Sequence, residues 1–313
     1  MNVFNDIVDT LRVRGTLYFR TQFAAPWSVL VPAYGNVARF HLVTGGHCWV
    51  RIEGLSDAIH IEEGDMIMIP RGSQHVLSDT PDRVPVEVDT VVKQSGFDGH
   101  GALVYSAADD PTPAGGSMLI CGHLEFDNGL GHPLLTDLPP YLLIRTRDTM
   151  NHLWIADTLR FIVNETHHEM QGADAVVNRL SEILYIQLAR ACLDHARNEL
   201  PFVAALKDTY LTRALSALHA EPGRDWTVEG LADIAGLSRA RFAARFQKYV
   251  GKGPIAYLTE WRMLKATQWL RHTDKPIKVI ASKLGYGSEQ SFSRAFSQHY
   301  TDSPRRYRAS AHS

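Results

Sequence analysis

Cysteine is scarce in this chain and long apolar runs are missing. Three cysteines in 313 residues, Cys48, Cys121 and Cys192, are too few and too scattered for a disulfide framework, which speaks for a reducing compartment. No stretch approaches the roughly 18 apolar residues of a membrane-crossing helix. No charged-then-apolar leader opens the chain. The expectation is a cytoplasmic protein with no membrane partner. Net charge is nearly absent too, a formal −2, but that total hides an uneven distribution. Residues 207–313 hold 18 Lys+Arg against 9 Asp+Glu, a formal +9, and residues 1–206 hold 14 against 25, a formal −11. A basic segment gains affinity for a polyanion by releasing counterions, whereas the acidic remainder is repelled by one. The length suffices for two domains, each with its own core.

What the chain does have is a repeat in its last third. Ala232 and Gly236 match Ala281 and Gly285. Ser238, Phe242, Phe246, Pro254 and Tyr257 match Ser288, Phe292, Phe296, Pro304 and Tyr307. The offset is 49 residues before the turn and 50 after it, because Tyr286-Gly287 adds one residue. A helix-turn-helix explains both copies. The small Ala lets two helices cross closely, and the Gly can take the left-handed conformation that turns the chain. Ser238 and Ser288 are placed to N-cap the second helix. Two Phe four residues apart mark its buried face. The opposite face holds Arg239, Arg241, Arg245 and Lys248 in copy one, and Glu289, Gln290, Ser293, Arg294, Gln298 and His299 in copy two. Such side chains reach phosphates and base edges in a major groove. A plain basic helical bundle is the competing explanation, and two copies in phase count against it.

The segment from Thr209 to Ala309 resembles the DNA-binding domain of the AraC/XylS family of bacterial transcription regulators. The motifs that carry the likeness are I-A-x-x-L-G-Y-x-S, then F-x-R-x-F and S-P-x-x-Y-R. The resemblance implies two helix-turn-helix units flanking a long helix, here about Pro254 to Arg271. Their recognition helices would enter successive major grooves about one turn (~34 Å) apart. Promoter DNA is the implied partner, with RNA polymerase a further one. One departure stands out: positions the family uses for bases fall on Ala240, Ala243 and Ala244. Base discrimination is therefore expected from the second copy, from Arg239 and Arg241, or from DNA shape.

From about Leu17 to Cys121, short runs of β-branched and aromatic residues are broken by Gly, Pro and Asp, which favours a sandwich or barrel. Within it, GDMIMIPRGSQHVLSD resembles the second motif of the cupin barrels, with Gly64, Pro70, Gly72 and His75 in place and Asp79 where Asn is usual. FHLVTGGHCWVRIEG is similar to the end of the first motif, with Gly45 in register. Together with ICGHLEFD and HPLLTDLPP, the likeness spans roughly residues 6–140. The His-x-His that metal-binding cupins carry before Gly45 is missing, so no cofactor is assigned. A non-standard metal site from His41, His75 and His123 remains an alternative. A barrel of this size can hold one small effector, and His41, Cys48, Trp49, Met66, Met68 and His75 are candidates for lining its pocket. A redox sensor working through Cys48 or Cys121 is a second reading, set against inert buried thiols.

Two helical stretches follow, about Met150 to Glu165 and about Gly172 to Asn198. Their apolar stripes can pack within one chain or form a homodimer contact. His167-His168-Glu169 reads as a solvated loop, and Pro201 to Asp208 as a hinge. The expected fold is multidomain α+β: an N-terminal cupin-like β-barrel (1–145), intermediate helices (146–206) and a C-terminal all-α domain with two helix-turn-helix motifs (207–311). The leading expectation is a ligand-responsive, non-enzymatic transcription regulator. A cupin metalloenzyme with an accessory DNA-binding domain and an effector-independent nucleoid-type protein are the alternatives.

Overall fold

The computed structural model describes residues 3–11, 13–99, 101–108, 112–126, 132–145, 157–158, 160–162, 164–165, 171–195 and 200–311. The His167-His168-Glu169 run and most of the helix expected from Met150 lie outside them, although the described turns between 157 and 165 are helical. The chain divides into two compact units that do not follow chain order. One comprises Val13–Leu130 and Leu138–Ala191, the other Met1–Arg12, Gly131–Asp137 and Cys192–Ser313. No helix among the described residues is long and apolar enough to cross a membrane.

Among the described residues the first unit is built on two sheets. Six strands run in the order β11 (Leu142–Arg145), β6 (Asp65–Ile69), β3 (Val37–Gly45), β10 (Thr112–Phe126), β1 (Val13–Ala25) and β9 (Ala102–Tyr105). Five more run in the order β5 (Ile59–Glu62), β4 (His47–Ile52), β7 (His75–Ser78), β2 (Ser28–Val31) and β8 (Val86–Glu87). Alternation sets the inward faces: in β4, Cys48, Val50 and Ile52 are buried while His47, Trp49 and Arg51 are half-buried. Cys48, Val50 and Ile52 join Phe23, Trp27, Val43, Ile67, Ile69 and Cys121 in one core. The Pro-x-Gly motif has a steric reason. Gly72 sits at φ +60°, and a Cβ there would stand 2.3 Å from the Tyr34 carbonyl oxygen. Helix α2 (Val88–Ser95) packs on β2, β8 and β9. Helix α4 (Ala173–His195) lies so close to β1 that a Cβ on Gly15 would meet the Asn178 carbonyl at 2.6 Å.

The second unit is helical. Its helices are α1 (Val3–Leu11), α3 (Pro133–Thr136), α5 (Pro201–Lys207), α6 (Thr209–Ala220), α7 (Val228–Ala235), α8 (Arg239–Val250), α9 (Pro254–His272), α10 (Ile277–Lys283), α11 (Glu289–Tyr300) and α12 (Pro304–Ala311). The hinge expected at Pro201 to Asp208 is instead α5, whose Phe202, Val203, Ala204 and Ala205 are buried. Burying that apolar run outweighs its value as a flexible joint. Two segments distant in sequence join this unit. α1 packs on α6 and α9, and α3 packs on α5.

Candidate DNA interface and effector cavity

Both turns have the geometry that the repeat requires. Gly236 and Gly285 adopt φ +71° and +80°, and Ala232 and Ala281 are buried where the helices cross. Phe242, Phe246, Phe292 and Phe296 have no exposed surface. The two caps differ. Ser288 accepts from the Ser291 amide in a capping box, whereas Ser238 holds the N-cap position of α8 without a side-chain bond. Ser238 thus takes the place expected of it but not the bond.

Helix α9 holds the two units of the repeat together. Its Tyr257 meets Phe246 of α8 at a ring distance of 5.9 Å, while Met263, Ala266 and Leu270 belong to the core that contains Phe292 and Phe296. A helix shared by two cores leaves little freedom between them. The S-P-x-x-Y-R motif closes the second core. Tyr307 packs on Phe296, its hydroxyl accepts from Arg271 Nε at 3.1 Å, and Arg308 donates to the Lys275 carbonyl at 2.6 Å.

Exposure then selects the recognition faces. Arg239, Arg241 and Lys248 are exposed on α8; Gln290, Arg294, Gln298 and His299 are exposed on α11, with Ser293 half-buried. Ala240 and Ala244 are exposed between the basic residues of α8. Two expected residues are engaged by other side chains of the protein. Arg245 donates Nε and Nη2 to Asp208, the carboxylate that also caps α6. Glu289 faces Arg305 at 3.6 Å. Arg245 thus ties α8 to α6, a role that spacing on a helix face cannot foretell.

A polar chain inside the same unit also escaped sequence reading, because its members are far apart in the chain. His219 Nδ1 donates to Asp6 at 2.9 Å, which leaves Nε2 to accept from the Tyr257 hydroxyl at 2.7 Å. His132 Nε2 meets the same hydroxyl at 3.3 Å, and Lys265 donates to Asp6 at 2.6 Å. Burial alone would raise the Asp6 carboxyl, but His219 and Lys265 hold it below its ordinary range. Burial lowers His219 and His132, so both are neutral.

In the barrel unit a cavity of about 190 Å³ has walls that are mostly apolar, among them Phe23, Val29, Val31, Leu77, Val91 and Leu103. Thr21, Tyr34, Arg39, His41, Asp89 and Cys121 also line it. Of the six residues expected to line a pocket, only His41 does so here. Cys48 is buried in the core, and Met66 and Met68 are buried one residue out of phase with the inward Ile67 and Ile69. Trp49 packs against His60 at a ring distance of 4.6 Å. His75 stands behind His41, with Nε2 to Nε2 at 2.8 Å.

The hydrogen-bond directions of this cluster follow from one carbonyl. Ser73 O can only accept, so His75 Nδ1, 2.8 Å away, carries the proton. The bare Nε2 of neutral His75 accepts from His41 Nε2, and the bare Nδ1 of His41 accepts from the Cys121 thiol at 3.0 Å. Burial pushes His75 down to about 4 and His41 well below its usual value, which keeps both neutral. Burial pushes the Cys121 thiol up to about 12, and the Cys48 thiol further. Both cysteines are free.

The metal site considered for His41, His75 and His123 does not fit this arrangement. His41 and His75 spend their facing nitrogens on each other, and His123 Nε2 is bonded to Glu125 at 2.9 Å. Among the described residues no group of three His, Cys, Asp or Glu side chains is arranged to hold a metal ion. The sequence grouped His41 with His75, as pocket residues and as possible ligands, but it did not bring Cys121 to His41, 80 residues away. Register was the absent signal: Cys121 and His41 are direct cross-strand partners.

Paired helix-turn-helix units around a shared helix, with a mainly antiparallel barrel bearing a small cavity, define a DNA-binding regulator with a separate cupin domain. Comparison with known proteins agrees. A family profile described as cupin matches residues 2–194, and one described as a helix-turn-helix domain matches residues 231–310. An AraC-like transcription regulator of Streptomyces lividans is 31% identical over 301 residues, covering 95% of this chain and 94% of that one. The transcriptional regulator AlkR of Acinetobacter baylyi is 29% identical over 309 residues, covering 98% and 99%. A solved regulator with an AraC-type DNA-binding domain from Chromobacterium violaceum is 31% identical over 33% of this chain and 91% of that one, with a TM-score of 0.31. The chain belongs to the AraC-type transcription regulators, with a cupin domain matched over residues 2–194. Both of these relatives are transcription regulators by name.

Proposed function

We propose that the protein reads a promoter with both recognition helices, and that a small, mainly apolar effector in the cupin cavity sets promoter occupancy. The observation that carries the reading is the pair of exposed polar helix faces built on cores that share α9. Gln290, Arg294 and Gln298 recur every four residues on α11, types that pair bidentately with adenine and guanine edges. The alanines of α8 offer methyl contact at most, so α11 contributes most of the base discrimination and α8 anchors phosphates through Arg239, Arg241 and Lys248. Arg294→Ala should weaken specific binding by about 1–3 kcal/mol and relax the preference at one base pair. Footprinting and titration at several salt concentrations read this out. An unchanged footprint and affinity, or equal binding to random DNA by the parent protein, would overturn the reading.

The effector acts only through unequal affinity for the DNA-competent and DNA-incompetent states. Two such chains pair through α4 in this reading. Val176 and Ile183, seven residues apart and so on one face of the helix, are 42% and 44% exposed there. Ile183→Glu should convert the dimer to monomer in sedimentation, and a parent protein that sediments as a monomer would refute the pairing.

A further inference from the structure

The cavity carries chemistry that simple occupancy by an apolar molecule does not call for. A thiol, an imidazole and a guanidinium (Cys121, His41 and Arg39) stand on walls otherwise dominated by hydrocarbon. Thiol and imidazole are brought together by strand register, since Cys121 on β10 pairs with His41 on β3. The bond between them has a fixed sense, with the thiol donating to His41 Nδ1 and His41 donating onward to His75. This is the arrangement of a nucleophile, a base and a group orienting the base. Arg39 lies beside them, its guanidinium over the Tyr34 ring at 4.5 Å.

We propose that Cys121, with His41 as its proton acceptor, is a covalent receptor for a small apolar electrophile of the α,β-unsaturated aldehyde or ketone class. The proposal rests on the cavity being the effector site. Sγ bonds to the β-carbon as the thiol proton passes to His41 Nδ1. The carbon–carbon π bond breaks and its electron pair moves toward the carbonyl oxygen, giving an enolate that the Arg39 cation stabilises. His41 then returns the proton to the α-carbon. The sum is addition of S–H across the double bond, with nothing released and no oxidant consumed.

Cys121 and Cys48 differ in the way this chemistry requires. Cys48 lines no part of the cavity, and its thiol donates to the Trp49 carbonyl at 3.4 Å. Because burial keeps the Cys121 thiol protonated, its attack depends on a base that takes the proton as the sulfur bonds, the place His41 Nδ1 holds.

The test uses the full-length protein with trans-2-hexenal, read by intact mass and peptide mapping. One adduct with the mass of the whole aldehyde should form on Cys121, at least ten-fold faster than on Cys48 or Cys192. His41→Gln should slow it ten-fold or more relative to modification of Cys192, with a circular dichroism melt confirming the fold. Excess 1-hexanol, which fills the same space without reacting, should slow the addition to the parent protein and so tests the cavity without any substitution. Prior modification of Cys48 or Cys192, an unchanged rate in His41→Gln, or faster oxidation of Cys121 by equimolar hydrogen peroxide would each overturn the proposal. If hexanol raises the melting temperature but hexenal leaves Cys121 unmodified, covalency fails and the effector cavity stands. If neither has any effect, both fail.

Discussion

Gly236 and Gly285 hold the same place in the two repeats, yet their surroundings make them unequal. Both adopt positive φ, which costs an L-residue roughly 1–2 kcal/mol. A Cβ on Gly236 would meet only the end of Arg213 at 3.8 Å, whereas one on Gly285 would stand 2.3 Å from the Gly223 carbonyl oxygen. Gly236→Ala should therefore cost about 1 kcal/mol, and Gly285→Ala clearly more, as urea unfolding of the full chain would measure. Equal losses would show that the Gly223 contact yields easily. The positive φ was readable from sequence in both copies. The contact was not, because Gly223 lies outside the repeat.

Helix ends show a similar split. The sequence places a serine at the start of both recognition helices, but only Ser288 makes the cap bond, helped by Ser291. Ser288→Ala should cost about 1 kcal/mol and Ser238→Ala a few tenths at most. Thermal melts of the two variants decide, and a larger loss at Ser238 would contradict the observed geometry. Periodicity located α8 and α11 well because each buries phenylalanines spaced for a helix, whereas α9 came from the family resemblance. Periodicity failed at α5, where Pro201 and a short length suggested a joint. The decisive fact was Phe202 finding cover against His132 and Tyr257, both distant in the chain. Arg245 is the same lesson on a polar face, since Asp208 claims it.

At the scale of the whole molecule, each unit buries two neutral histidines linked by hydrogen bonds: His41 and His75 directly in the barrel, where His123 is buried too but against the Glu125 carboxylate, and His132 and His219 through Tyr257 in the helical unit. Burial is the first cause of every downward shift, with His75 at about 4. Such a residue is neutral when folded and takes a proton when unfolded, once the pH drops below about 6.5. Its stabilisation is complete above that value and is lost as pH falls toward the folded pKa. Each unit should then lose up to roughly 3 kcal/mol per pH unit between about 6 and 5, two histidines at ~1.4 kcal/mol each. Asp6 is depressed as well, so its own contribution is lost only further into the acid range. Chemical denaturation between pH 7 and 5 measures this, and a flat profile would mean that these histidines are already charged.

The amino-acid order alone determined the class of the protein. Two in-phase turns, their buried phenylalanines and the charge asymmetry are local patterns, and helices and turns answer to local patterns. Only the tertiary structure decided which groups meet. The Cys121–His41–His75 cluster and the Asp6–His219–Tyr257–His132 chain join residues that strand register and helix packing bring together from distant positions. Spacing along a chain holds no information about such encounters, because closing the long loops between them depends on the burial of many other side chains at once.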